Sequence, residues 1–337
     1  GGLRKYQWFA RPLAIHGVIV KSDGEVIRVC LGEDEKEPVF TIADLLPHLA
    51  HKDGGLKLSE AFDAEKLNVI LGHEPVLADS DKEDDKAPKD AVKARILQLL
   101  NEKYGIREDD LISAELEAVP AGPARYVGLD KGIVGGYGQD DRICVYTALR
   151  ALLDAEEPEY TSCLIFWDKE EIGSEGVSGM QGEAFEYFME SLCKAQGVDL
   201  RTCLANSFCL SADVCAAFDP GFSEVFERKN AAYLNYGVGL CKYTGSGGKS
   251  GASDASSEVV GNIRKLLNDH EIAWQMCELG KTDAGGGGTV AKYMAKRNID
   301  TLDAGVPVLS MHAPFEVVAK YDCYMTYRAV KAIFEEN

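Results

Sequence analysis

The pattern of apolar and polar positions changes character about a third of the way along the chain. In the first part, Val18-Ile19-Val20 and Val26-Ile27-Arg28-Val29 flank Ser22-Asp23-Gly24-Glu25. Asp-Gly at the centre of a two-residue turn predicts a β-hairpin, because both residues tolerate positive φ. A further extended run, Pro38-Val39-Phe40-Thr41-Ile42, leads into a short apolar segment through Leu46 and Leu49. Asp79-Ser80-Asp81-Lys82-Glu83-Asp84-Asp85 has no periodicity and reads as an exposed loop. Pro88 then opens a predicted helix with Val92, Ile96, Leu99 and Leu100 on one face and Gly105 as its stop. Together these elements predict a small β-rich domain over residues 1–112, closed by a helix.

From Leu111 onward the pattern becomes strand, loop, helix, repeated. Ser162-Cys163-Leu164-Ile165-Phe166-Trp167 is an apolar run of strand length. Phe208-Cys209-Leu210 and Val306-Pro307-Val308-Leu309 are similar, with amphipathic helices between them. Such alternation predicts an α/β domain with a mainly parallel sheet over residues 113–337. In folds of this kind ligands sit beyond the C-terminal ends of the strands, so the loops there are where chemistry is sought.

Composition narrows the function. The chain is 46% hydrophobic and 27% charged, ordinary for a globular enzyme. No apolar run reaches the ~18 residues of a membrane helix. A net charge of -19 repels phosphate backbones, which argues against nucleic-acid binding. The ten cysteines are scattered without a Cys-x-x-Cys pair, so they read as reduced thiols of a cytoplasmic protein rather than a structural zinc framework.

Four loops that follow or border these runs carry metal-ligand residue types. Gly138-Gln139-Asp140-Asp141-Arg142 precedes a helix with Val145, Leu149 and Leu152 on its apolar face, and Asp168-Lys169-Glu170-Glu171-Ile172-Gly173-Ser174 follows the 162–167 run. Ser211-Ala212-Asp213 follows Leu210, and Ser310-Met311-His312-Ala313-Pro314 follows Leu309. Singly, each has a plain reading: Asp140-Asp141 as a helix cap, Glu170-Glu171 as solvated surface, His312 as a hydrogen-bonded surface residue. Jointly, three carboxylate loops and one imidazole loop at one sheet edge have the donor chemistry of a two-metal hydrolytic site.

The sequence resembles the aspartyl aminopeptidase and vacuolar aminopeptidase I family of dizinc exopeptidases, especially its bacterial branch. The resemblance runs from Lys5-Tyr6-Gln7-Trp8 to Met325-Thr326-Tyr327, and its most specific pieces are the 136–142, 168–174 and 306–314 segments. It implies a three-layer, phosphorylase/peptidase-like peptidase domain with an inserted β-rich domain that builds a homo-oligomer. It implies two Zn2+ ions per site, bridged by Asp140 and further held by Glu171, Asp213 and His312. Glu170 would be the general base, and His48 of the inserted domain would reach a neighbouring subunit's site to steady the tetrahedral intermediate. Gly287, Gly288 and Thr289, within Asp283-Ala284-Gly285-Gly286-Gly287-Gly288-Thr289, would lie near the peptide substrate.

Two departures stand out. The family's first zinc-binding histidine, in a His-x-Asp arrangement, falls upstream of Gly1, and His16, His48 and His51 do not stand in one. The chain is therefore expected to be N-terminally truncated and to lack one ligand. Asp213-Val214-Cys215-Ala216-Ala217 also lacks the histidine that eukaryotic relatives carry shortly after the Asp. Two other readings stay open: a dizinc deacylase or amidohydrolase of related fold, and an inactive fragment that only assembles. Gly245-Ser246-Gly247-Gly248-Lys249-Ser250 ends like a phosphate loop but has Tyr243 where that motif needs glycine, and reads as a loop.

Overall fold

A computed structural model describes residues 2–50, 55–76, 89–156, 158–247, 250–251 and 253–336. The chain divides into two compact units, Arg4–Pro123 and a second made of Gly1–Leu3 with Ala124–Asn337. The expected boundary at 112/113 thus moves to 123/124, because Ala114–Pro120 is a strand of the first unit's sheet.

In the first unit, β1 (Leu13–Val20) lies between β2 (Val26–Leu31) and β3 (Ala114–Pro120), antiparallel to both. The hairpin is present, but its turn is longer than two residues. Val20 pairs with Val26, Lys21 N donates to Glu25 O at 2.9 Å, and Gly24 takes the left-handed conformation at φ 88°. Phe40, Thr41 and Ile42 make single bridges to Leu13, Ile70 and Phe9 and form no continuous strand. A short helix, α1, covers Leu58–Ala61. The longer α2 runs Ala91–Tyr104 and ends at Gly105, whose φ of 66° closes the last turn. Pro88 and the acidic 79–85 stretch lie outside the described residues. Leu100 packs on Ile19, Val29 and Ile106, whereas Val92 and Leu99 are exposed. The apolar face of α2 is therefore narrower than the periodicity predicts.

The second unit is α/β, and its sheets are mixed. Its strands are β4 (Arg125–Val127), β5 (Ile133–Gly136), β6 (Phe208–Ser211), β7 (Cys215–Ala216), β8 (Val238–Cys241), β9 (Gly245–Ser246), β10 (Trp274–Met276), β11 (Gly286–Gly287), β12 (Asp300–Gly305), β13 (Pro307–Leu309) and β14 (Glu316–Ala319). One sheet has the order β10-β8-β12-β6, a second β4-β5-β14-β13-β7, and β11 pairs with β9. The pairs β10–β8, β12–β6 and β13–β7 are parallel, and the rest of these ladders are antiparallel. The helices are α3 (Gln139–Asp154), α4 (Ala184–Gln196), α5 (Leu200–Ala205), α6 (Ser257–Asp269), α7 (Ala291–Ala295) and α8 (Lys320–Glu336).

Alternation along the strands builds three layers. Phe208, Leu210, Val238, Leu240, Leu302 and Ala304 face α6 and α8, where Ile263, Leu267, Met325 and Ala329 meet them. Cys209, of opposite parity, packs with Phe185 of α4, Leu204 of α5 and Tyr293 of α7. Helix α6 shows why this face forms: Val259, Ile263, Leu266 and Leu267 recur at helical spacing and are buried. Each such side chain contributes about 1.5–3 kcal/mol on burial. Ser256 caps the helix by accepting from Val259 N at 3.2 Å. The 162–167 run makes no ladder among the described residues. Leu164 instead packs against the cluster of Ala148, Ala151 and Val330, and Ile165 against that of Met180, Phe185 and Leu204, so the apolar run records burial and not strand pairing. None of the described helices is long and apolar enough to cross a membrane.

Candidate active site

The turn before α3 is shaped to present an acid. Gly138 adopts φ 71°, and a Cβ there would lie 1.9 Å from Arg142 Nη2. That arginine donates to Gly138 O at 3.0 Å and to Tyr137 O at 2.9 Å, tying the turn shut. Asp140 follows with a non-helical backbone (φ -77°, ψ 112°), and its peptide bond to Asp141 is cis. Glu170 and Glu171 sit on a single 3-10 turn between Lys169 and Gly173, both left-handed. Asp213 follows the C-terminal end of β6, and close approach there requires glycine at 305, where a Cβ would lie 1.8 Å from Asp213 O.

His312, left-handed at φ 63°, joins these loops. Gly2 N donates to its Nδ1 at 3.1 Å, which leaves the proton on Nε2, 3.1 Å from Asp140 Oδ2 and 3.4 Å from Glu171 Oε1. Glu316, only 1% exposed, fixes two loops at once. One oxygen accepts from Asp140 N at 3.1 Å and the other from His312 N at 2.7 Å. No motif marks Glu316 in the sequence. Its signal is four-residue spacing from His312, which becomes informative only once β13 and β14 form a hairpin.

Crowding of acids sets the electrostatics. Burial, then the charge of Asp140, pushes Asp141 up to about 7. Burial and Asp140 likewise hold Asp213 well above the usual carboxylate range, and burial with Glu171 raises Glu170. The hydrogen bond to Asp140, then the charge of Glu171, raises His312 against its partial burial. These are the shifts of a negative site in need of a cation.

The donors fit a metal. Asp140, Glu171 and His312 bring one ligand atom each within 4.8 Å of one another, and so do Asp140, Asp141 and Asp213, and Asp141, Glu170 and Glu171. Carboxylate oxygens with an imidazole are zinc ligands, and the proton on His312 Nε2 lies where a cation could hold the same groups together. Among the described residues, Asp140 alone belongs both to the group with His312 and to the group with Asp213.

A cavity of about 570 Å³ opens over these donors. Asp140, Glu170, Glu171, Asp213, His312, Gly287, Gly288 and Thr289 all line it. Its far wall is packed backbone against backbone: a Cβ on Gly285 would lie 1.9 Å from Leu279 O, and one on Gly286 2.0 Å from Gly245 O. Thr289 Oγ1 donates to the buried Asp303 at 2.7 Å, a residue sequence reasoning did not single out. Burial lifts Asp303 to about 6. His48 is not among the lining residues; it lies exposed in the Arg4–Pro123 unit.

Comparison with known proteins gives first the class and then the family. A sequence model described as aminopeptidase I zinc metalloprotease (M18) matches residues 1–334, which makes the class a metalloprotease. A probable M18 family aminopeptidase 1 of Clostridium acetobutylicum is 46% identical over 336 residues, 98% of this chain and 71% of the relative. The crystal structure of an M18 aminopeptidase from Thermotoga maritima superposes with TM-score 0.93 at 46% identity, over 100% of this chain and 74% of that one. The S. cerevisiae mApe1 dodecamer, at 22% identity and TM-score 0.72 over 99% of this chain and 71% of that one, shares the fold. The chain belongs to the M18 family of zinc metallo-aminopeptidases, hydrolases that act on peptides.

Proposed function

We propose that the chain removes N-terminal residues from peptides by two-metal hydrolysis, with Glu170 as general base. The carrying observation is that Asp140 is shared between two donor groups, one containing His312 and Glu171 and the other Asp213. On this reading Asp140, Glu171, Asp213 and His312 would together hold two zinc ions, with Asp140 common to both sides. Bound zinc would polarise the scissile carbonyl and acidify water. Glu170 takes a proton from the attacking water and returns it to the leaving amine. Gly287, Gly288 and Thr289 hold the peptide backbone along the cavity wall, where the two glycines, without Cβ atoms, permit close approach.

The assembly extends this reading. The Arg4–Pro123 unit carries the exposed Leu45, Leu46 and Leu49 beside His48, the kind of surface subunit contact covers. We assign it to the interface of a cytoplasmic homo-oligomer in which His48 serves a neighbouring subunit. The test is release of chromophore from aminoacyl substrates, with and without chelator, beside N-acylated analogues. Chelator-sensitive turnover of free-amine substrates, falling 10²-fold or more in Glu170→Gln with metal content retained, is expected. Turnover of acylated substrates alone would make the enzyme a deacylase, and no turnover by metal-replete protein would end the reading.

A further inference from the structure

Gly239 lies inside β8 and is absent from the positive-φ glycines, so neither turn nor strain asks for glycine there. What excludes a side chain is sulfur: a Cβ at 239 would lie 2.4 Å from Cys215 Sγ and 2.9 Å from Cys277 Sγ. A glycine inside a strand marks such a close approach. Cys241, two residues on and so on the same strand face, places its Sγ 3.1 Å from Cys277 Sγ. The backbone fixes that meeting. Strands β10 and β8 are parallel with Met276 opposite Leu240, and Cys277 N donates to Leu240 O at 3.0 Å. Cys215, Cys277 and Ala232 are buried together with Cys241 against them. Cys215 and the half-buried Cys241 also line the cavity over the candidate metal donors, so the cluster borders space that small solutes can enter.

We propose that Cys241 and Cys277 form an oxidisable dithiol in the wall of the substrate cavity, closed to a disulfide by small hydroperoxides that enter it. Cys241 Sγ attacks one peroxide oxygen, the O–O bond breaks, and the displaced hydroxide or alkoxide leaves with the thiol proton, giving a sulfenic acid. Cys277 Sγ then attacks that sulfur. The S–S bond forms, the S–O bond breaks, and water leaves with the second proton. Two thiols are oxidised and one hydroperoxide is reduced. Closure requires the sulfurs to approach by about 1 Å to reach bonding distance.

Both cysteines are continuous in the chain with the cavity wall. Glu278, Leu279 and Gly280 come directly after Cys277, and Tyr243, Thr244 and Gly245 lie just beyond Cys241; all six line the cavity. Leu279 O is the atom against which Gly285 packs. A cross-link therefore draws on both strands that carry the glycine-rich wall, and shifts of about 1 Å in a site that positions substrate can cost up to ~10²-fold in rate. Among reduced cytoplasmic proteins such disulfides are transient and regulatory.

The activity half of this inference rests on the peptidase reading of the cavity; the cross-link does not. The experiment treats the metal-replete protein with hydrogen peroxide, maps peptides by mass spectrometry without reductant, and follows peptidase activity before and after dithiothreitol. A Cys241–Cys277 cross-linked peptide, suppressed by a cavity-filling inhibitor, is expected, with a loss of roughly tenfold or more in kcat/KM that dithiothreitol reverses. Cys277→Ala should match the wild type in reductant and resist peroxide, and Cys277→Ser serves if the alanine variant does not fold. Recovery of both cysteines uncross-linked, or oxidised singly, overturns the dithiol. Equal peroxide sensitivity of the Cys277 variant overturns its control of activity. A cross-link in protein with no peptidase activity even when reduced supports the dithiol and overturns the peptidase reading.

Discussion

A single carboxylate, Glu316, holds the two sides of the candidate site in register through Asp140 N and His312 N. Its two oxygens accept from two backbone donors, and a carboxamide has one oxygen. Glu316→Gln therefore leaves one N–H facing an NH₂ in a buried place, and at least one loop must shift. We expect a ~10–100-fold drop in metal affinity or kcat/KM, the size typical when an outer partner of metal ligands is lost, with metal content read by elemental analysis. An unchanged metal content and rate would remove Glu316 from the site's architecture. The candidate site residues were legible in the sequence, because Asp140, Glu170, Glu171, Asp213 and His312 stand at or beside runs whose apolarity marks burial. Glu316 and Asp303 were not. Each acts through a contact that only the folded chain creates: Glu316 is 176 residues from Asp140, and Asp303, on β12, accepts from Thr289.

Elements show a similar division between what pattern reveals and what packing decides. The resemblance places the glycine-rich segment that ends in Gly287, Gly288 and Thr289 near the substrate. The structure gives two of the segment's glycines a steric reason, since a Cβ on Gly285 would lie 1.9 Å from Leu279 O and one on Gly286 2.0 Å from Gly245 O. Gly285→Ala should displace this wall and raise KM for peptides by about tenfold while leaving metal content intact; steady-state kinetics on metal-replete protein reads the split. Asp322, in the first turn of α8, joins that helix to the 235–237 turn by accepting from Asn235 N and Gly237 N, each at 2.8 Å. Burial raises it from 3.8 to about 6. In the window between those values the folded chain keeps a proton that the unfolded chain has released, so this group's contribution to stability falls as pH rises and levels off above about 6. Asp322→Asn removes the titration. Its stability deficit relative to the wild type should shrink by up to about 3 kcal/mol between pH 4 and pH 6.5, as denaturant melts at a series of pH values would record. A deficit constant across that window would show that Asp322 does not titrate there.

At the scale of the whole molecule, the two units raise the question of what the Arg4–Pro123 unit adds to chemistry whose donors all lie in the other. Composition and periodicity distinguished the units but placed their boundary early, because β3 returns to β1 after a helix and nothing in Ala114–Pro120 announces that partner. The proposed answer is His48 acting on a neighbouring subunit, and it makes a prediction that no single-chain role makes. Glu170→Gln and His48→Ala should each be poorly active alone. When the two are unfolded and refolded together, or co-expressed, a mixed oligomer contains sites with Glu170 from one protomer and His48 from the other. Those sites are complete, so activity should reappear well above the sum of the two variants. Leu49→Asp places a charge on the exposed apolar surface beside His48. Combined with either variant it should abolish the rescue and reduce oligomer size by light scattering. Failure of the mixture to recover activity, with mixed oligomers demonstrably formed, would confine His48 to its own unit and leave the peptidase cavity to work with the residues that line it.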